Sequence, residues 1–214
     1  MRAGIIVAMD KEYESLVHIL DGRGEGRLDG HDIRLAIAGI GKVNAAVTAA
    51  GLIRDFAPDC IISTGVAGAL TSRFQMGDVA VGVQTAYHDV DCGSGNLPGQ
   101  MQGFPQRFPS DASLIPFAKD ILREAWKQTP GKYLEGLIVT GDQFVYAEDA
   151  PRILGKYPDA LAVDMESAAL AHTCFKFGVP FLSIRMISDV IAPDVHEDNY
   201  DQYKSFFGMT GDQL

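Results

Sequence analysis

Cysteine is scarce in this chain of 214 residues, and what there is does not pair. Cys60, Cys92 and Cys174 are an odd number at wide spacings, which fits neither a disulfide framework nor a zinc site built on paired cysteines. Cys60 and Cys174 are expected as small core residues. Long apolar runs are also missing: nothing approaches the about 20 residues needed to cross a bilayer. The opening stretch Met1 to Ala8 is too short for a signal peptide and meets Asp10, Lys11 and Glu12 at once, so it reads as a first strand. A soluble, cytoplasmic protein is expected. Clusters of Lys and Arg are absent as well. With 18 basic against 28 acidic residues the net charge is −10, which repels phosphate backbones and anionic headgroups. Neither nucleic acid nor a membrane is therefore expected as a partner. His18, His31, His172 and His196 are scattered without metal-ligand spacing, and no metal is expected. His88-Asp89-Val90-Asp91-Cys92 does gather potential ligands. In an extended stretch, however, His88 and Asp89 face opposite ways, so a turn or interface role is favoured.

What is present is a folded composition, with 47% hydrophobic and 21% charged residues and no low-complexity tract. The length favours one domain spanning residues 1–214. Short β-rich apolar runs fall at Ala3 to Ala8, Ile33 to Ala38, Cys60 to Thr64, Val79 to Val83, Leu134 to Thr140 and Pro180 to Ile187. Several are apolar on both faces, as in a sheet covered by helices on each side. Helices are expected over Lys11 to Leu20, Lys42 to Phe56, Ser113 to Gln128, Pro151 to Lys156, Asp164 to Phe177 and Asn199 to Phe207. The alternation means α/β. In the fifth helix, Met165, Ala168, Ala169, His172 and Phe175 to Phe177 are expected to pack on the sheet. His88 to Asp111 lacks periodicity, and a loop that long inside a domain is usually functional or an interface element.

Gly39-Ile40-Gly41-Lys42-Val43-Asn44 invites a nucleotide-loop reading and fails it. A phosphate-cradling loop needs glycine where Ala36 stands and Ser or Thr where Val43 stands, and the dinucleotide fingerprint needs glycine at Asn44. What survives is a tight strand-to-helix turn, either facing a ligand with its free N–H groups or purely structural. Ile61 to Ala69 reads as a buried strand running into a small-residue turn, equally suited to a flat ligand and to close backbone packing. Three carboxylates fall near strand carboxyl ends: Glu12 after the first strand, Glu166 in the first turn of the fifth helix, and Asp189 closing the last strand. Each alone also fits a cap or a helix-dipole partner. Converging on one apolar crevice, they would suit acid/base chemistry on a neutral substrate.

Read in order, Gly4 to Met9 with Glu12, Gly39 to Ala46, Ser63 to Gly68, Gly77-Asp78-Val79 with Tyr87 to Asp91, Thr140 to Phe144, Asp164 to Ala169 and Arg185 to Asp189 resemble the 5′-methylthioadenosine/S-adenosylhomocysteine nucleosidases of the purine nucleoside phosphorylase superfamily. The resemblance spans residues 2–190. It implies a three-layer α/β/α fold around a central mixed, partly barrel-like sheet, a homodimer, no cofactor, and hydrolysis of the N-glycosidic bond between adenine and a 5′-thio-substituted ribose. By the same resemblance Asp189 is the general acid to adenine N7 and Glu12 binds and activates the water. Glu166 holds the ribose hydroxyls with Met165 beside the sugar, Phe144 stacks on adenine, the Val145 backbone pairs with the purine edge, and Ser188 orients the acid. Met9 and Val66 complete the expected substrate contacts, Val66 standing where many members carry a small polar residue. The segment Cys92 to Met101 departs from the family's common form of the loop that reaches the neighbouring subunit's 5′ pocket, which leaves the preferred thioether open. Asn199 to Phe207 is shorter than the family's terminal helix, and a looser cover over the site is expected.

An oxocarbenium-like sugar calls for an acid at the base, an anion near the ring and a placed water. Phosphorolytic relatives surround a phosphate with arginines, one of them just before the turn that here reads Thr64-Gly65-Val66. Thr64 lacks that charge and Glu12 repels phosphate, so hydrolysis is expected. A phosphorylase of the same fold and a non-catalytic nucleoside-binding protein are the alternatives.

Overall fold

The computed structural model describes residues 1–127, 131–192 and 198–208. The expected helix limit at Gln128 and His196 lie outside them. In chain order the elements are β1 (Arg2–Val7), α1 (Asp10–Val17), β2 (Glu25–Leu28), β3 (His31–Ile37), α2 (Lys42–Phe56), β4 (Cys60–Ala69), β5 (Val79–Tyr87), β6 (Arg107–Pro109), α3 (Leu114–Ala125), β7 (Tyr133–Thr140), α4 (Ala150–Lys156), β8 (Ala160–Asp164), α5 (Ser167–Phe177), β9 (Phe181–Val190) and α6 (Asn199–Phe206).

The strands form one mixed sheet in the order β2-β3-β1-β4-β8-β7-β5-β6, with β9 pairing both β4 and β5. That double pairing closes β4, β8, β7, β5 and β9 into a barrel. The β1–β3 flank continues from β4 as an open sheet. Alternation along the strands explains the layers. Ile6, Ile61 and Phe181 pack with α2 and α5, whereas Ala3, Cys60 and Leu182 pack with Leu114 and Ala118 of α3 on the other face. Period-2 side chains that are apolar on both sides need helices on both sides. The α/β/α arrangement with a partly barrel-like sheet is therefore the fold.

Several expectations need correction. Gly65 to Ala69 is not a turn: β4 runs through it to Ala69, pairing with β9 along its whole length. Three strands, β2, β6 and β8, were not anticipated from the sequence. The first two are short, and the Ala-Leu-Ala-Val run of β8 merges into the helical pattern after it. The fifth helix starts at Ser167, not Asp164, which ends β8. Its Phe175 reaches the sheet at Phe108 of β6, with ring centroids 5.7 Å apart, although Phe175 and Phe177 are both about half exposed, at 52% and 50%. The long loop after β5 is interrupted by β6, which pairs back onto β5. Cys60 and Cys174 are buried, and all three cysteines are free thiols.

Candidate active site

β1, β4 and β9 run parallel, so their carboxyl ends open in one direction. The last β1–β4 partners are Ile6 and Ser63. Past them the strands part, and the Glu12 carboxylate from the first turn of α1 fills the gap. One oxygen accepts the Ala8 and Met9 N–H groups at 2.9 and 3.0 Å, and the other accepts Val66 N–H at 3.0 Å. Gly65, with φ +152°, is where β4 passes this carboxylate; a Cβ there would collide with it. Glycine supplies both the conformation and the clearance.

Asp189 reaches the same space because β9 carries a bulge. Ala67 is paired with Ile187 but Gly68 with Asp189, so Ser188 is the extra residue. A bulge re-aims the side chains around it. The Ser188 hydroxyl donates to Asp189 Oδ1 at 2.7 Å, and the Asn199 side-chain amide of α6 donates to Oδ2 at 3.0 Å. Asp189 is 3% exposed. Burial raises its pKa, against the pull of the Ser188 and Asn199 hydrogen bonds.

Glu166 stands at the residue just before α5, its side chain making no hydrogen bond to the helix N–H groups, whereas the helix was expected to contain it. Its Oε1 accepts the Gly41 N–H at 2.9 Å. Burial, then the neighbouring Asp164, pushes its pKa up to about 7, with Arg185 and the Gly41 N–H opposing. Beneath it lies a polar layer inside the barrel. Arg185 Nε meets Asp164 at 2.8 Å, Arg185 Nη2 donates to Ser63 at 2.8 Å, and Thr140 donates to Asp164 at 2.6 Å. Ser167 donates to Asp164 through both its hydroxyl and its N–H. Burial pulls the Arg185 pKa down, yet Asp164, Glu166 and Glu12 more than reverse it. The glycine-rich turn before α2 is tied down similarly. Lys42 N–H donates to Asp142 at 2.8 Å, and the Lys42 ammonium contacts Asp89 at 2.7 Å. Its N–H groups thus hold the protein's own carboxylates.

All nine residues singled out from the sequence line one cavity of about 450 Å³. Glu12, Glu166 and Asp189 surround it, with Met9 and Val66 on the β1–β4 side, Met165 and Ser188 near their carboxylates, and Phe144 and Val145 along the loop after β7. The sequence reading missed Tyr200 and Tyr203 of α6, which also line it. Their rings contact Phe144 at centroid distances of 5.3 and 5.5 Å. Aromatics three apart in a short amphipathic helix were the available signal. Asp164 and Arg185 were read only as parts of motifs, because a buried ion pair has no local signature. The expected looseness of the terminal helix does not match its anchoring: Gln202 accepts the Val190 N–H at 3.0 Å, and the Tyr203 hydroxyl reaches the Met9 sulfur at 3.4 Å. His88 is fully buried, Asp89 is held by Lys42, and both side chains approach Gly141. Among the described residues no group of three or more His, Cys, Asp or Glu could hold a metal ion.

Residues 2–210 match the Phosphorylase superfamily. Among solved structures, the chain is similar to the 5′-methylthioadenosine/S-adenosylhomocysteine nucleosidase of Neisseria meningitidis in complex with methylthio-immucillin-A, at 40% identity and a TM-score of 0.87 over 96% of this chain and 91% of that one. It is likewise similar to the S-adenosylhomocysteine nucleosidase of Streptococcus pyogenes in complex with 5-methylthiotubericidin, at 35% identity and 0.86 over 96% and 89%. The nucleosidase of Colwellia psychrerythraea 34H in complex with adenine matches at 33% identity and 0.87 over 96% and 88%.

Proposed function

The chain belongs to the phosphorylase superfamily, and from that premise we propose that it is an N-glycosyl hydrolase that releases adenine from 5′-methylthioadenosine, S-adenosylhomocysteine or both. The observation that carries hydrolysis over phosphorolysis is the wall of the cavity. Four carboxylates, Glu12, Asp164, Glu166 and Asp189, line it, and no Lys or Arg of the described residues does. A phosphate dianion brought against Glu12 and Glu166 would meet like charge without a compensating cation. The buried Arg185 pairs with Asp164 and does not line the cavity.

In this reading adenine stacks on Phe144 and meets the Val145 backbone, with N7 toward Asp189. The Asp189 proton passes to N7 as the C1′–N9 bond breaks, so the base leaves neutral. Glu12, fixed by three backbone N–H groups, takes a proton from the water whose oxygen bonds to C1′. Glu166 accepts from the ribose hydroxyls, Met165 packs beside the sugar, and the anionic wall favours the oxocarbenium-like sugar. Asp189 regains its proton from solvent. No cofactor takes part.

The residue roles rest on the family pattern and on the convergence of these side chains around one cavity. The test is adenine release from methylthioadenosine with and without phosphate. Phosphate-independent formation of free 5-methylthioribose is expected, whereas ribose 1-phosphate as the main product would sink the reading.

The chain is further read as a homodimer working in the cytoplasm on small nucleosides, without nucleic acid or membrane partners. Among the described residues no helix is long and apolar enough to cross a membrane. Support for the dimer comes from exposed apolar side chains. Val43 and Val47 on α2 are 73% and 67% exposed, and Ile40 just before them and Leu97 on the long loop are also more than half exposed. A second cavity of about 340 Å³ lies beside Val43, between α2, α5 and Met101 of that loop. Exposed apolar side chains beside such a cavity suit an association site.

A further inference from the structure

Asn199, the first residue of α6, is 2% exposed and stands behind the cavity wall without lining it. Its side-chain nitrogen lies 3.0 Å from Asp189 Oδ2 and 3.1 Å from the Val145 carbonyl oxygen. Both partners are acceptors, so the group facing them must be the amide NH₂, with one hydrogen for each. We propose that Asn199 is a positioning residue that ties the Asp189 carboxyl to the Val145 backbone, so that the acid and the base-recognition edge are set together when α6 is docked. This rests on the reading of Asp189 as the acid toward the base.

The geometry supplies the reasons. Ser188 holds Oδ1 of Asp189 and Asn199 holds Oδ2, which pins both oxygens from the protein side. A lone-pair direction toward the cavity is left to carry the proton that the base receives. Val145 carries the backbone beside Phe144, and a carbonyl oxygen held by one donor still has a second lone pair. The same helix places Tyr200 and Tyr203 against Phe144. The clamp on the acid and the aromatic wall therefore arrive on one element.

The clamp also has an electrostatic sense. An N–H donor stabilises the ionised carboxylate and opposes the burial that favours the neutral acid. A general acid works best with its pKa near the operating pH, and Asn199 keeps a deeply buried carboxyl from drifting too high. The other titratable groups facing the cavity are Glu12 from α1, Tyr146 from the loop after β7, Asp164 at the end of β8, Glu166 at the start of α5, and Tyr200 and Tyr203 from α6. None of them touches Asn199 among the hydrogen bonds described.

The experiment compares wild type with Asn199→Leu and the isosteric Asn199→Asp, using methylthioadenosine turnover from pH 5 to 10. Both variants are expected to lose at least about tenfold in kcat. The alkaline limb of kcat/KM should move to higher pH in Asn199→Leu, where a donor is lost. It should move further in Asn199→Asp, where two carboxyls face each other. A limb that stays in place in both variants overturns the proposal whether or not turnover falls, since plain packing loss would not move it. If the leucine variant does not fold, the aspartate variant decides alone. A parallel carbon-NMR titration of the Asp189 carboxyl in the ligand-free protein needs no turnover. Wild type that releases no adenine refutes the functional reading, whereas an Asp189 titration unchanged by both substitutions refutes the role of Asn199.

Discussion

Asp189 gathers a hydroxyl donor, an amide donor and nearly complete burial around one carboxyl, and the balance of these decides whether it can give a proton near neutral pH. Asp189→Asn keeps the shape and removes the transferable proton. Binding of an adenosine analogue should persist by calorimetry, while turnover falls by at least about 10², the lower end of general-acid assistance. Near-wild-type turnover at neutral pH would reassign the acid. Glu166 makes a separate, thermodynamic prediction. Burial pushes its pKa up to about 7 in the folded protein from the ordinary 4.5, so between those pH values the native state binds more protons than the unfolded chain. Stability therefore falls as pH rises through that window, and the full cost is present above pH 7. Glu166→Gln retains an acceptor for the Gly41 N–H and carries no charge. Its melting temperature should exceed that of wild type by several degrees at pH 8, with the gap closing toward pH 4.5, as scanning calorimetry would show. A gap of the same size at both ends would mean that the charge of Glu166 costs the fold nothing.

Among the elements, β4 carries the heaviest constraint. It pairs with β1, β8 and β9, and at Gly65 it slides past the Glu12 carboxylate. That carboxylate cannot swing away cheaply, because backbone N–H groups hold both of its oxygens. Gly65→Ala should therefore leave the circular dichroism spectrum native and lower kcat by about tenfold or more, since a misplacement of about 1 Å can cost 10²-fold. Wild-type kcat in this variant would show that Glu12 has room to move. β9 makes the complementary contribution through its bulge at Ser188, which sets Ser188 and Asp189 at the cavity wall after the core residue Ile187. α6 then closes that wall with two tyrosines and Asn199.

At the scale of the molecule, the barrel and its flanking sheet bring together side chains that lie 177 positions apart, from Glu12 to Asp189. Inside the barrel the Arg185–Asp164 pair is hydrogen-bonded by Ser63, Thr140 and Ser167. Outside, Val43 and Val47 of α2 and Leu97 of the long loop are uncovered in the single chain. Sedimentation or light scattering at micromolar concentration should give a mass of twice the 23.1 kDa of one chain. Replacing Val43 and Val47 by Glu should shift that mass toward one chain. A fully active species of single-chain mass in wild type would remove the dimer from the account.

The sequence by itself determined the α/β class, the limits of α2, the positions of most barrel strands and the family motifs that mark the site. Those features are local: apolar alternation, glycine before a helix, and carboxylates just past strand ends leave their pattern in a few consecutive residues. It also named residues that line the cavity, because the family pattern attaches to those positions. Only the tertiary structure decided the closure of the barrel, since β9 pairing with both β4 and β5 is a long-range choice that no window of sequence contains. The run from Gly65 to Ala69 looked like a turn because small residues signal one, and pairing with β9 overrode that propensity. The bulge at Ser188, the hydrogen-bonded Arg185–Asp164 pair and the bridge from Asn199 to Asp189 and Val145 likewise exist only between distant segments. Hydrogen bonds and desolvation act through space, and these contacts arise only when the sheet has brought their partners together.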